Sequence, residues 1–180
     1  PISISSAVEG LTILYPNIET VPIVVGILLV IFMFQQFGTK IIGGLFGPIM
    51  LIWFTMIGIL GTIQVIHHPY VLKALNPMYA INMVFNYPGG FWFLGAVFLC
   101  TTGAEALYSD LGHCGKQNVR VSWVFVKITL VLSYLGQSAY ILSNPTTNWD
   151  EIAPFYAIMP KSFLPIGIGI ATAATIIASQ

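Results

Sequence analysis

The residue of this chain best placed to do chemistry is a carboxylate inside an apolar stretch. Glu105 stands in Cys100-Thr-Thr-Gly-Ala-Glu-Ala-Leu-Tyr-Ser-Asp110, well inside the apolar run 91–110. An acid in hydrocarbon is costly unless it is protonated, paired or turned to a wet cavity, so an intramembrane Glu is a functional candidate by default. Desolvation favours its neutral form, the state a proton-coupled site needs. The structural alternative is a protonated Glu105 that only hydrogen-bonds a neighbouring helix. Gly103 lies two positions before it, among Thr101, Thr102 and Ser109. That composition lets a helix open and offer carbonyl and hydroxyl oxygens, which suit a hard cation. The same small residues also suit close helix packing, and both readings stand.

Other polar residues are weaker candidates. Glu9, in Ser3-Ile-Ser-Ser-Ala-Val-Glu-Gly10, lies near the end of an apolar segment. A cap or interfacial role fits it better than a buried site, because the cost of a charge falls toward the headgroups. Ser3 lies deeper and is a candidate ligand. Tyr108, Asp110 and His113 are candidates for a gate or for structural roles, with a solvated loop the simpler reading of His113. Lys127 lies near one end of its apolar run, where its charge can snorkel to the interface. His67 and His68 are adjacent and lack the i, i+4 spacing of a metal pair. Gly43-Gly-Leu-Phe-Gly47 is a GxxxG whose simplest meaning is close helix contact. There is no Walker sequence, GxSxG elbow or Cys and His pairing, so neither enzyme chemistry nor a cofactor is expected.

Composition identifies the elements that must position these groups. Of 180 residues, 57% are hydrophobic and 7% charged, where soluble domains carry about 25% charged residues. Six Lys and Arg balance six Asp and Glu, so no basic field exists to hold nucleic acid. Cys100 and Cys114 form neither a disulfide framework nor a metal spacing. Asn144-Pro145-Thr146 has Pro in the position that blocks glycosylation. The chain opens at Pro1 without a leader-like segment and closes within an apolar run, so both ends are expected to be internal to a longer protein.

Spans are expected at about 1–14, 21–37, 41–66, 91–110, 121–142 and 162–180, in one transmembrane domain. About 20 apolar residues cross the hydrocarbon as a helix. Long runs without period-2 alternation exclude a barrel, so the fold class is all-α, a polytopic helical bundle. The connector 67–90, with Pro69, Pro77 and Pro88, reads as a longer polar loop, and 143–161 as a second connector. Lys40 lies in one short loop and Lys116 with Arg120 in another, two spans apart and therefore on one side, taken as cytoplasmic. The loops around Glu19, 67–90 and 143–161 then lie outside.

With these residues in view, Gly103-Ala-Glu-Ala-Leu-Tyr-Ser-Asp-Leu-Gly-His113 resembles the signature of the KUP/HAK/KT potassium uptake permeases. Further stretches resemble family motifs in the family's order: Ser6-Ala-Val-Glu-Gly-Leu11, Phe37-Gly-Thr39, Leu45-Phe-Gly-Pro48 with Trp53-Phe54, and His68-Pro69 followed by Ala74-Leu-Asn-Pro77. Tyr134-Leu-Gly-Gln137 and Thr175-Ile-Ile-Ala-Ser-Gln180 continue the series. The resemblance implies a LeuT-like inverted-repeat fold of the APC superfamily, of which this chain covers about helices 3 to 8. It implies K+ uptake across the plasma membrane, with H+ as the coupled ion, and it admits a homodimer. The segment 91–110 would be a broken sixth helix lining the ion path. Glu105 matches the family's acidic residue, Thr102 a hydroxyl beside the K+, and Ser3 a third-helix hydroxyl near the same site. Cys114, Lys127 and Asn148-Trp-Asp-Glu151 depart from the family pattern. The acidic first helix and a third-helix carboxylate before Pro1 would lie outside the chain. An amino acid permease of the same fold and a channel-like or structural membrane subunit are the competing readings.

Overall fold

The computed structural model describes residues 19–35, 39–100, 116–149 and 152–178. Among the described residues every regular element is helical, in agreement with the all-α expectation. Helix α1 is Thr20–Gln35 and α2 is Thr39–His67, which continues through Pro48. A 3-10 helix, Pro69–Leu75, leads to α3, Pro77–Asn86, and then α4, Gly90–Cys100. Helix α5 is Lys116–Ser143, α6 is the short Pro154–Ala157 and α7 is Leu164–Ala178.

Two stretches, Gly47–His67 within α2 and Gln117–Ser143 within α5, are long and apolar enough to cross a membrane, with mean hydropathy 2.2 and 1.5. Shorter apolar helical stretches occupy Thr20–Leu29, Gly90–Leu99 and Leu164–Ile176. Their outer faces are bare: Trp92 is 82% exposed and Val121 75%. Lipid or further protein must cover surfaces of that size, since soluble monomers rarely leave large apolar patches open.

The architecture is set by the pairing of α2 with α5, the most extensive helix contact among the described residues. Phe54 meets Phe125 edge to face, with ring centroids 6.5 Å apart. Further along, Gly58 faces Thr129, Gly61 faces Leu132 and Gly136, and the Tyr70 hydroxyl donates to the Ala139 carbonyl at 3.3 Å. Residue numbers rise together on both sides, so the helices are parallel. The starts of α2 and α5, which carry the Lys40 and the Lys116 with Arg120 connectors, therefore lie at one end of the pair.

Small residues make this approach close. A Cβ on Gly61 would run into the Leu132 carbonyl, and one on Gly136 would stand 2.5 Å from the Gly61 Cα. Of the GxxxG expected to pack, Gly47 has no close neighbour among the described residues: a Cβ there, as at Gly44, would meet nothing within 4 Å. The physical reason is register: Gly58, Gly61 and Gly136 fall where the helix axes cross, whereas Gly44 and Gly47 lie beyond the crossing. Between apolar helices in lipid the attraction is van der Waals packing rather than exclusion of water, so backbone proximity itself supplies the contact.

The 67–90 connector is helical rather than a loop. Pro69 and Pro77 each begin a helix, where the missing N–H is not needed. The Asn76 side chain caps α3 by accepting from the Met78 backbone N–H at 3.0 Å. A turn at Tyr87 to Gly90 follows, closed by Gly90 N–H donating to the Tyr87 carbonyl at 2.9 Å. Gly89 adopts φ +85° there, after Pro88, as position i+2 of a type II turn requires.

The 143–161 connector also differs from a simple external loop. Tyr156, Ile158 and Met159 are buried with Met56, Ile57 and Leu60 of α2 and Leu164, Ile168 and Ala171 of α7. Phe155 sets its ring 5.4 Å from that of Trp53. Trp53 lies roughly 14 residues, about 21 Å, before the end of α2. The segment around α6 therefore dips back along the helix pair. Its run Ile152-Ala-Pro-Phe-Tyr-Ala-Ile-Met159 is too short to span but apolar enough to bury. Ile23, Val24, Ile27 and Leu28 of α1 and Ile176 of α7 are each partly buried against a second, smaller apolar cluster.

Candidate functional site

Ser3, Glu9, Thr102, Gly103, Glu105, Tyr108, Asp110 and His113 lie outside the described residues, and with them the K+ ligands and the helix break implied by resemblance. The structure shows the surrounding framework. Helix α4 leads toward Thr101 and is seated at its start against α3, where a Cβ on Gly90 would overlap the Met83 and Val84 carbonyls.

Within the framework, polar groups cluster at the α2 and α5 crossing. Thr129 and Ser133 are buried, at 7% and 4% exposure, on the α5 face turned to Gly58 and Gly61. The Thr129 hydroxyl is shared between the Phe125 and Val126 carbonyls at 3.1 and 2.9 Å. Thr62 donates to the Gly58 carbonyl at 2.7 Å. Gln137 donates its amide to the Ser133 hydroxyl at 3.1 Å, one turn along the same helix. Among the described residues no buried side-chain nitrogen or oxygen lacks a partner.

This arrangement is built for packing rather than for holding an ion. Hydroxyls committed to their own helix carbonyls satisfy themselves without a ligand. A groove of about 310 Å³ opens beside the crossing, lined by Thr55, Ile59, Thr62, Ile63, Phe125 and Leu132 among others. Its apolar walls offer no charge to a cation. Among the described residues no group of three or more His, Cys, Asp or Glu could hold a metal ion. The pairing of Gln137 with Ser133 was not singled out from sequence. The signal for it was present in Thr129, Ser133 and Gln137, spaced four residues apart on one face.

The far end of the pair carries a second polar and aromatic group. His68 and Tyr70 stack edge to face at 5.9 Å, and Tyr140 meets Trp149 at 5.8 Å. Trp149 donates its indole N–H to the Asn144 carbonyl at 3.3 Å, and the Asn144 amide donates to the Tyr140 carbonyl at 3.0 Å. Rings with one wet and one apolar end are the residues that collect at a membrane interface.

Comparison with known proteins gives this framework its family. The sequence profile described as "K+ potassium transporter integral membrane domain" matches residues 1–180. The chain is 56% identical over 188 aligned positions to a "Probable potassium transport system protein Kup" of Flavobacterium johnsoniae, covering 100% of this chain and 29% of that protein. A protein of the same description from Cytophaga hutchinsonii is 57% identical over 185 positions, with 100% and 28% covered. One from Streptococcus agalactiae serotype V is 46% identical over 189 positions, with 99% and 28% covered. The chain thus spans 28 to 29% of the length of these relatives. No solved structure matches it. A profile match along the whole chain, on a framework of apolar helices crossing at glycines, establishes that the chain belongs to the K+ potassium transporter integral membrane domain family.

Proposed function

We propose that the full-length protein takes up K+ across the plasma membrane as a K+/H+ symporter, by alternating access in a LeuT-like inverted-repeat fold. The observation that carries this reading is the profile match over residues 1–180, supported by relatives whose names describe potassium transport. In this reading the spans at about 1–14, 21–37, 41–66, 91–110, 121–142 and 162–180 form one multi-pass domain, with the Lys40 and Lys116 connectors in the cytoplasm.

The division of labour follows from chemistry. Neutral oxygens of Thr102 and Ser3, with carbonyls freed by a helix break at Gly103, replace part of the K+ hydration shell. Glu105 supplies the exchangeable proton: protonated it is tolerated in an apolar span, and ionised it adds charge to the ion site. The α2 and α5 pair, whose described polar groups are internally satisfied, acts as framework rather than as ligand.

Rubidium uptake into potassium-depleted cells expressing the full-length protein tests the reading. Glu105→Gln should abolish proton-coupled uptake while leaving the protein in the membrane. Uptake by the unsubstituted protein should fall as external pH rises, since deprotonation removes the coupled proton. Wild-type rates in Glu105→Gln with an unchanged pH profile would remove Glu105 from the mechanism. Transport of labelled amino acids instead of rubidium would replace the substrate assignment, and non-saturable flux indifferent to the proton gradient would point to a pore.

A further inference from the structure

Helix α5 carries a second feature on the side away from its partner. At 100° per residue, Phe125, Thr129, Leu132, Ser133 and Gly136 share the face turned to α2. Arg120, Val124, Lys127 and Val131 share the opposite face, and all four are exposed. The Lys127 ammonium lies over the Trp123 ring, 4.9 Å from its centroid. The side chain is thus drawn back by about one turn toward the start of the helix, the direction in which helical side chains tilt. Its charge comes to the level of Trp123, only three residues, about 4.5 Å of helix rise, from Arg120. Neither cation faces a carboxylate among the described residues, and Val121, Val124 and Ile128 around them are 75%, 54% and 55% exposed.

We propose that Arg120, Trp123 and Lys127 form a binding site for the headgroup of an anionic phospholipid. The chemistry is complementary on both counts. Two cations within about one helical turn of each other, neither paired among the described residues, match a phosphodiester, and the exposed valines and isoleucine beside them match its acyl chains. The site lies at the end of α5 that carries the basic connector, the end expected to face an anionic leaflet. Trp123 fixes the Lys127 ammonium by a cation–π contact and so reduces the freedom lost on binding. The inference rests on the membrane-spanning reading of α5 but not on what the protein transports.

The test titrates short-chain phosphatidylglycerol into the purified full-length protein in neutral detergent and follows its thermal stability. Phosphatidylcholine and glycerol 3-phosphate serve as controls for chains without charge and charge without chains. Phosphatidylglycerol should raise the melting temperature, and neither control should. Arg120→Gln with Lys127→Gln should raise the half-saturating lipid concentration about thirtyfold, and either single change about fivefold, at ~1 kcal/mol per cation. Lys127→Arg should retain the response. An equal response to glycerol 3-phosphate would overturn a lipid site in favour of a free anion. An unchanged phosphatidylglycerol response in the double variant would overturn the site altogether. Equal loss of stability in both lipids would also overturn it, because the cations would then be paired with a carboxylate of the protein. Should the double variant not fold, Lys127→Gln against Lys127→Arg decides the same question, and rubidium uptake is not needed for any arm.

Discussion

Gly61 and Gly136 meet where α2 crosses α5, with the Gly61 Cα 2.5 Å from the place a Cβ on Gly136 would occupy. Both obstacles are backbone, so neither helix can yield by turning a side chain. Gly61→Ala or Gly136→Ala should therefore destabilise the full-length protein by about 1–3 kcal/mol or more. Gly58→Ala should cost less, because its new methyl would meet the Thr129 side chain at 3.0 Å. Gly44→Ala and Gly47→Ala should be neutral or mildly stabilising, as alanine favours helix and the space is open among the described residues. Thermal melts of the three groups in detergent check the order.

Gln137 and Ser133 form a hydrogen bond inside an apolar helix, so each is costly without the other. A double-mutant cycle with Gln137→Leu and Ser133→Ala should give a coupling of about 0.6–1.7 kcal/mol. Simple additivity of the two changes would show that the pair does not interact in the folded protein.

Asn76 holds the start of α3 through its side-chain oxygen on the Met78 N–H. Asn76→Ala should weaken that helix by ~1 kcal/mol. Hydrogen exchange over residues 77–86 should quicken severalfold, with no change in α5.

Within the 143–161 connector, Ile158 is 6% exposed and Ile152 38% exposed. After Cys100 and Cys114 are replaced by serine, Ile152→Cys should react with a small maleimide and Ile158→Cys should not. Rapid labelling of both would mean that the segment around α6 does not dip along the helix pair.

His67 and Arg120 are both exposed, and the parallel register of α2 and α5 places them at opposite ends of the pair. Impermeant reagents should label His67→Cys from one side of a sealed membrane and Arg120→Cys from the other. Labelling of both from the same side would contradict the pairing.

The sequence alone determined the helical class, because apolar runs of this length have no other way to satisfy their backbone in lipid. It also singled out Glu105, whose cost in hydrocarbon needs no neighbour to be recognised, and its motifs pointed to the family that the comparisons establish. The surroundings of Glu105 fall outside the described residues, so the ion site is an expectation of sequence and resemblance. Contacts were decided only by the tertiary structure. Helices apolar on every side carry no stripe to say which face packs, so Gly44 and Gly47 were as eligible as Gly58, Gly61 and Gly136 until the register of α2 on α5 chose between them. The same holds for Tyr156 and Met159, which look like connector residues in sequence and are buried because Met56, Ile57 and Leu60 offer them a surface one helix away.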